Sequence, residues 1–154
     1  MALNVVLVEP EIPQNTGNIA RTCVVTGSVL HLVGPLGFSV DEKHIRRAGL
    51  DYWQYLEMYQ YDSLEEVWAK YPNGTFYYFS TKAGKRFDQT AFDADAFLVF
   101  GKETAGLKQS LIDAHADSCV RIPMQKDRRC LNLSNAVCVG VYEALRQNGY
   151  TDLV

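Results

Sequence analysis

Arg121-Ile-Pro-Met124, then Arg129-Cys-Leu-Asn-Leu-Ser-Asn135, then a long amphipathic helix: this passage decides how the chain reads. A short apolar strand ends at a proline, a basic loop follows, and Asn132, Ser134 and Asn135 crowd the start of the next helix. Asn or Ser at a helix start ordinarily caps orphan backbone N–H groups. One cap needs one residue, and three beside Arg128 and Arg129 point to a ligand site. Open α/β sheets place their binding crevices at such strand exits.

Two further polar islands have the same setting. Asn15-Thr-Gly-Asn-Ile-Ala-Arg21 follows the strand-like Asn4-Val-Val-Leu-Val8, and Phe100-Gly-Lys-Glu-Thr-Ala-Gly-Leu107 follows Phe97-Leu-Val-Phe100. Strands are expected at Asn4–Val8, Val29–Val33, Phe76–Ser80, Ala96–Phe100 and Ser118–Ile122, with a further short one at Leu56–Tyr59. Helices are expected at Gly17–Thr26, Asp41–Ala48, Ser63–Lys70, Leu107–Ala114 and Asn132–Gln147, with Gly27 and Gly149 placed as C-caps. Short β-branched or aromatic runs alternating with helical patterns imply an α/β fold, a parallel sheet covered on both faces.

In the last helix Leu133, Ala136, Val137, Gly140, Val141, Ala144 and Leu145 form one apolar stripe. Gly140 costs roughly 1 kcal/mol of helix propensity against alanine. A close contact would offset that, with the sheet or with a second subunit. In the first helix Ile19, Cys23 and Thr26 fall on one side, while Asn18 and Arg21 share another. An arginine there suits an anion or a surface carboxylate equally.

At 154 residues, with 47% apolar and 21% charged content, the chain is expected to be a single globular domain over residues 1–154. No apolar run approaches the roughly 20 residues that span a bilayer, and the N-terminus lacks a secretory pattern. A cytoplasmic protein without membrane contact is expected. Cys23, Cys119, Cys130 and Cys138 show no paired spacing and read as thiols, several of them buried. The scattered histidines argue against a metal site. The net charge of −3 opposes indiscriminate nucleic-acid binding but leaves room for a local basic surface. Lys43, Arg46 and Arg47, then Lys82, Lys85 and Arg86, then Lys126, Arg128 and Arg129 form three basic runs.

Gly101 and Gly106 have phosphate-loop spacing, yet Leu107 follows the second glycine where lysine and then Ser or Thr are needed. No G-x-G-x-x-G follows the first strand, which disfavours a Rossmann dinucleotide site. There is no serine elbow and no Cys–His arrangement for nucleophilic catalysis. Asn15, Arg21, Glu103, Asn132 and Ser134 form a polar set without a strong nucleophile. Such a set suits positioning and electrostatic stabilisation in a transfer between two bound substrates.

Together the three islands resemble the signature motifs of the SPOUT RNA ribose methyltransferases, in the same order. Val8-Glu-Pro-Glu-Ile-Pro13 and Arg46-Arg-Ala-Gly-Leu-Asp-Tyr52 resemble the YibK or TrmL branch, which acts on the wobble nucleotide of certain tRNAs. The resemblance implies S-adenosylmethionine as methyl donor, a ribose 2′-hydroxyl as acceptor, a homodimer and a trefoil knot in the C-terminal third. It assigns donor binding to Phe79, Thr81, Gly101, Ile122, Met124, Cys130 and Leu131. It assigns activation of the hydroxyl to Arg21, supported by Asn15, Glu103, Asn132 and Ser134. A guanidinium stays protonated, so Arg21 is expected to hold phosphate and stabilise developing alkoxide rather than act as a simple base. Cys130 stands where many relatives carry serine. Without an appended RNA-binding domain, the tRNA anticodon stem-loop would rest on Lys43, Arg46, Arg47, Lys85 and Arg86. The competing readings are a non-catalytic RNA-binding or assembly protein on the same fold and a small α/β nucleotide-binding protein acting on a metabolite.

Overall fold

Six parallel strands form one sheet in the order β3-β2-β1-β5-β4-β6. The computed structural model describes residues 2–40, 53–128 and 130–154. The strands are β1 (Asn4–Val8), β2 (Val29–Val33), β3 (Met58–Tyr61), β4 (Phe76–Phe79), β5 (Phe97–Phe100) and β6 (Cys119–Val120). The helices are α1 (Pro13–Thr26), α2 (Leu64–Lys70), α3 (Gln109–Ala114) and α4 (Leu133–Gln147). Central β1 pairs with β2 from Asn4↔Val29 to Val8↔Val33, and with β5 from Asn4↔Phe97 to Leu7↔Phe100.

Alternation along the strands divides the core between two faces. Val5, Leu7, Leu30, Leu32, Leu98 and Phe100 pack with Ile19, Cys23, Val137, Val141 and Ala144 of α1 and α4. Val6, Val33, Phe97 and Val99 pack on the other face with Leu64 and Val67 of α2 and Ile112 of α3. Burial pushes the Cys23 thiol up to about 12, and Cys119 is buried as well. Both behave as small core residues.

Gly140 meets the sheet. A Cβ there would lie 3.1 Å from the Phe79 ring and 3.2 Å from that of Phe100. Those rings stack with centroids 4.5 Å apart. Of the two partners open for this glycine, the intrachain one is present.

Some boundaries differ from the sequence reading. Helix α1 begins at Pro13 rather than Gly17, because proline suits a first turn and its missing N–H needs no partner there. β3 lies two residues later than Leu56–Tyr59, β4 and β5 each lose a terminal residue, and β6 shrinks to Cys119–Val120. Helix α3 begins at Gln109 because Leu107 is drawn into the core beneath the sheet. The helix expected at Asp41–Ala48 lies outside the described residues.

One polar group sits inside this framework. His31, fully buried on β2, is held by Asn4 Oδ1 at 2.9 Å and the Tyr61 hydroxyl at 2.8 Å. Asn4 Nδ2 already donates to the carbonyls of Asp95 and Ala2, so its Oδ1 accepts the His31 Nε2 proton. Nδ1 then accepts from Tyr61. Burial, with the Lys70 charge nearby, lowers the His31 pKa to about 4. The imidazole is neutral across the physiological range.

Candidate functional site

The strand order reverses direction between β1 and β5, and the loops leaving these two strands face each other across that switch point. Glu103, from the β5 exit, places its carboxylate at the start of α1. It accepts the N–H of Glu11 (2.8 Å) and of Ile12 (2.7 Å), and Asn15 Nδ2 at 3.2 Å. Ile12 is the helix N-cap and has no capping side chain of its own. A carboxylate at a helix N-terminus satisfies orphan donors and complements the dipole. The reciprocal bonds run the other way: Glu11 Oε1 accepts both the N–H (3.1 Å) and the hydroxyl (2.7 Å) of Thr104. Those bonds hold the Glu11 carboxyl below the usual range.

Beside this junction, a cleft of about 240 Å³ opens over the exits of β4, β5 and β6. Phe79, Ser80, Thr81 and Lys82 form one wall, and the loop from Gly101 to Leu107 another. Ile122, Met124, Cys130 and Leu131 close it, with Leu133 and Ala136 of α4 beneath. Phe79, Thr81, Gly101, Ile122, Met124, Cys130 and Leu131, scattered over 53 positions from 79 to 131, all line this one space. Gly101 makes the loop possible. A Cβ there would sit 2.1 Å from the Gly106 carbonyl carbon and 2.2 Å from the Leu107 nitrogen. The Gly106 N–H closes the loop on the Lys102 carbonyl at 2.8 Å. Apolar walls and an exposed loop backbone fit a flat heteroaromatic ligand. Lys82 and Lys102 add positive charge to the rim, and neither was singled out from the sequence as a site residue.

The polar set divides. Asn15 and Glu103 are joined directly, with Asn15 buried. Asn132 caps α4: its Oδ1 accepts the Ser134 N–H at 2.9 Å and the Ser134 hydroxyl at 2.6 Å. These two are therefore engaged with each other at the helix start, as the capping alternative has it, while the intervening Leu133 faces the cleft. Arg21 lies six residues along α1 from Asn15, exposed and outside the cleft wall, on the same side as exposed Asn18.

The basic set divides as well. Lys43, Arg46, Arg47 and Arg129 lie outside the described residues. Lys85 is exposed. Arg86 is exposed but grips Asp88 with Nε at 2.9 Å and an Nη at 2.8 Å, so binding a phosphate there means exchanging that partner. Among the described residues no group of His, Cys, Asp and Glu could hold a metal ion, and no helix is long and apolar enough to cross a membrane.

Glu11 and Thr104 were missed from the sequence as site residues. The two are 93 positions apart, and only the pairing of β1 with β5 brings them together. The recurrence of glutamate in both exit loops was the available signal.

A parallel sheet with a glycine-loop cleft at its strand exits defines an α/β domain with a ligand site at the switch point. Residues 2–142 match the SpoU rRNA Methylase family, and the chain belongs to that family. It is 48% identical to a tRNA (cytidine(34)-2'-O)-methyltransferase of Burkholderia pseudomallei (strain 1106a), over 96% of each chain. It is 47% identical to the protein of the same name from Yersinia pestis, over 96% of this chain and 95% of that one. A solved structure described as "Structural insights into the 2-OH methylation of C/U34 on tRNA" superposes with TM-score 0.91 at 38% identity, covering 96% of both chains. The SpoU methyltransferase AviRb from Streptomyces viridochromogenes, solved with AdoMet, superposes with TM-score 0.80 at 28% identity, covering 96% of this chain and 58% of that one.

Proposed function

We propose that this chain transfers a methyl group from S-adenosylmethionine to the ribose 2′-hydroxyl of nucleotide 34, a cytidine or 5-modified uridine, in tRNA. The observation that carries the reading is the meeting of three separate strand exits in one apolar, glycine-walled cleft. Near-half identity over almost the full length to proteins named for that reaction supports the substrate.

S-adenosylmethionine bound in this cleft would supply an electrophilic methyl group. Phe79, Ile122, Met124, Leu131 and the Gly101 loop would hold it, together with Thr81 and Cys130 of the same lining. The residues present suit such a group, since apolar side chains and glycine-loop backbone face one cleft. Arg21, always charged, holds the phosphate beside the reacting ribose and stabilises the oxygen as it gains negative charge. Glu103 and Asn15 keep the start of its helix in place. The hydroxyl proton passes to solvent, and no residue of this set is a strong base.

The remaining expectations belong to the same reading. Residues 1–154 act as one catalytic domain, with the trefoil knot in the C-terminal third, and the enzyme works in the cytoplasm. The anticodon stem-loop rests on Lys43, Arg46, Arg47, Lys85 and Arg86, joined by Lys82 and Lys102 at the cleft rim. A homodimer is supported by the outward faces of α1 and α4, where Val25 is 53% exposed and Val139 and Tyr142 are each 40% exposed.

The test is incubation with methyl-labelled S-adenosylmethionine and bulk tRNA from cells lacking the gene, followed by nuclease mapping and mass spectrometry. Label on the ribose of nucleotide 34 is expected. Donor binding without label would favour a non-catalytic RNA-binding protein. Arg21→Ala is expected to abolish transfer while donor affinity, measured by calorimetry, stays nearly intact; equal loss of both would refute its role at the acceptor.

A further inference from the structure

We infer that Glu11 is a positioning residue that holds the glycine-loop wall of the cleft against the head of α1, so that the shape of the donor site depends on a carboxylate outside its lining. The inference rests on the reading of the cleft as the methyl-donor site.

Its basis is the reciprocity of the bonds between the two exit loops. Glu103 reaches from the β5 exit to the Glu11 and Ile12 amides at the head of α1. Glu11 reaches back from the β1 exit to Thr104, in the middle of the glycine loop. Each carboxylate thus fixes the backbone that carries the other, and neither loop can move alone without breaking a charge-assisted bond. The two arms differ in what they position. The Glu103 arm fixes α1, and through it Asn15 and Arg21. The Glu11 arm fixes Thr104, Ala105 and Gly106, all in the cleft wall. The chain leaves Glu11 through Ile12 directly into proline, which limits its freedom to follow a shifted loop. Gly37 also lies against Glu11, where a Cβ would approach its Cα to 2.9 Å. The residue is enclosed on its backbone side while its carboxylate spans the switch point.

Both Thr104 bonds converge on one oxygen of Glu11. That predicts an unusual pattern among variants. Glu11→Gln retains an oxygen that can accept both bonds, whereas Glu11→Ala retains none. Thr104→Val removes the hydroxyl bond and keeps the amide one.

The experiment measures S-adenosylhomocysteine affinity by calorimetry, kcat and KM for methyl transfer to tRNA, and the urea unfolding midpoint. It uses the wild type, Glu11→Ala, Glu11→Gln, Thr104→Val and the Glu11→Ala/Thr104→Val double variant. Glu11→Ala is expected to weaken donor-product binding about tenfold or more and to lower kcat as well. Glu11→Gln should stay within about threefold of wild type, since the accepting oxygen survives. Thr104→Val should lose part of what Glu11→Ala loses, and the double variant should be no worse than Glu11→Ala alone. Wild-type affinity and kcat in Glu11→Ala would overturn the inference. So would Glu11→Gln as damaged as Glu11→Ala, or strictly additive losses in the double variant. A drop in unfolding midpoint with donor affinity and kcat unchanged would make the clasp structural only and overturn it too. If Glu11→Ala fails to fold, Thr104→Val decides, because an unaltered donor affinity and kcat there refutes the coupling. If the wild type neither binds S-adenosylhomocysteine nor methylates tRNA, the proposed function falls, and this inference with it.

Discussion

Two polar assemblies lie on this sheet, and they solve opposite problems. The His31 network is buried near the β3 edge and made of neutral partners, Asn4 and Tyr61, with Lys70 reaching the same hydroxyl at 3.5 Å. Aromatic rings of Tyr59, Tyr61, Tyr71 and Phe97 surround it within 6 Å. The Glu11–Glu103 clasp lies at the strand exits, is made of carboxylates holding backbone amides, and stands next to the cleft. A buried polar group must be satisfied or it destabilises the fold, so the first assembly serves stability. Glu11 and Glu103 are only half-buried and bond loop backbone beside the cleft, so the second serves the site. Perturbing one should move unfolding, and perturbing the other should move binding.

The largest separation is expected from Gly101→Ala. The added Cβ would collide with the backbone of Gly106 and Leu107, which no side-chain rotation relieves. The loop must open, the Gly106–Lys102 bond is lost, and the cleft wall is displaced. Affinity for S-adenosylhomocysteine should fall by on the order of a hundredfold or more. Calorimetry checks this, and affinity within a few-fold of wild type would show that the loop does not shape the donor site.

The His31 network should respond to pH instead. Its folded pKa, about 4, lies below the ordinary value of 6.5, so between those values the unfolded chain binds the proton and the folded one does not. Stability therefore rises with pH from about 4 to 6.5 and is independent of this group above that window. The full difference is on the order of 3 kcal/mol. Urea unfolding across that range should show the slope in the wild type and lose most of it in His31→Gln, while donor affinity at neutral pH is unchanged. A slope surviving in His31→Gln would assign the titration elsewhere.

The contrast also explains what could be read from the sequence. Strand exits were legible because short apolar runs give way to Gly or Pro, at Pro10, Gly101 and Pro123, which marks the settings of the three islands. The seven cleft residues came from the family resemblance, and two of them, Phe79 and Thr81 at the β4 exit, lie outside the three islands altogether. Asn132 as a cap was equally visible, but its choice between helix and ligand was not, because a side chain's partner depends on where the loop before it travels. Glu11 and Thr104 left no local trace, since β1 and β5 are neighbours only in the folded sheet. The start of α1 is half legible, since Pro13 suits a first turn and stands in plain view while the cap does not. Its cap comes from Glu103, some 90 residues downstream, and no window along the chain contains both.

The smallest expected effect falls between the two regimes, and for that reason it sharpens the comparison most. Gly140→Ala would gain roughly 1 kcal/mol of helix propensity in α4. Against this, the new methyl would press on Phe79 and Phe100 at 3.1 to 3.2 Å, closer than ordinary contact. These rings are stacked and packed into the core, so they cannot swing away freely, and overpacking offsets the gain. The unfolding free energy should consequently change by no more than about 1 kcal/mol in either direction, with a correspondingly small move of the midpoint. Yet the same two rings line the cleft, so a shift too small to register in stability moves the surface that the donor base contacts. A several-fold loss of S-adenosylhomocysteine affinity with a near-wild-type midpoint is expected. Equal, large losses in both would mean that core and cleft are not separable at this face of the sheet, and the division between stability and site would hold only at the two polar assemblies.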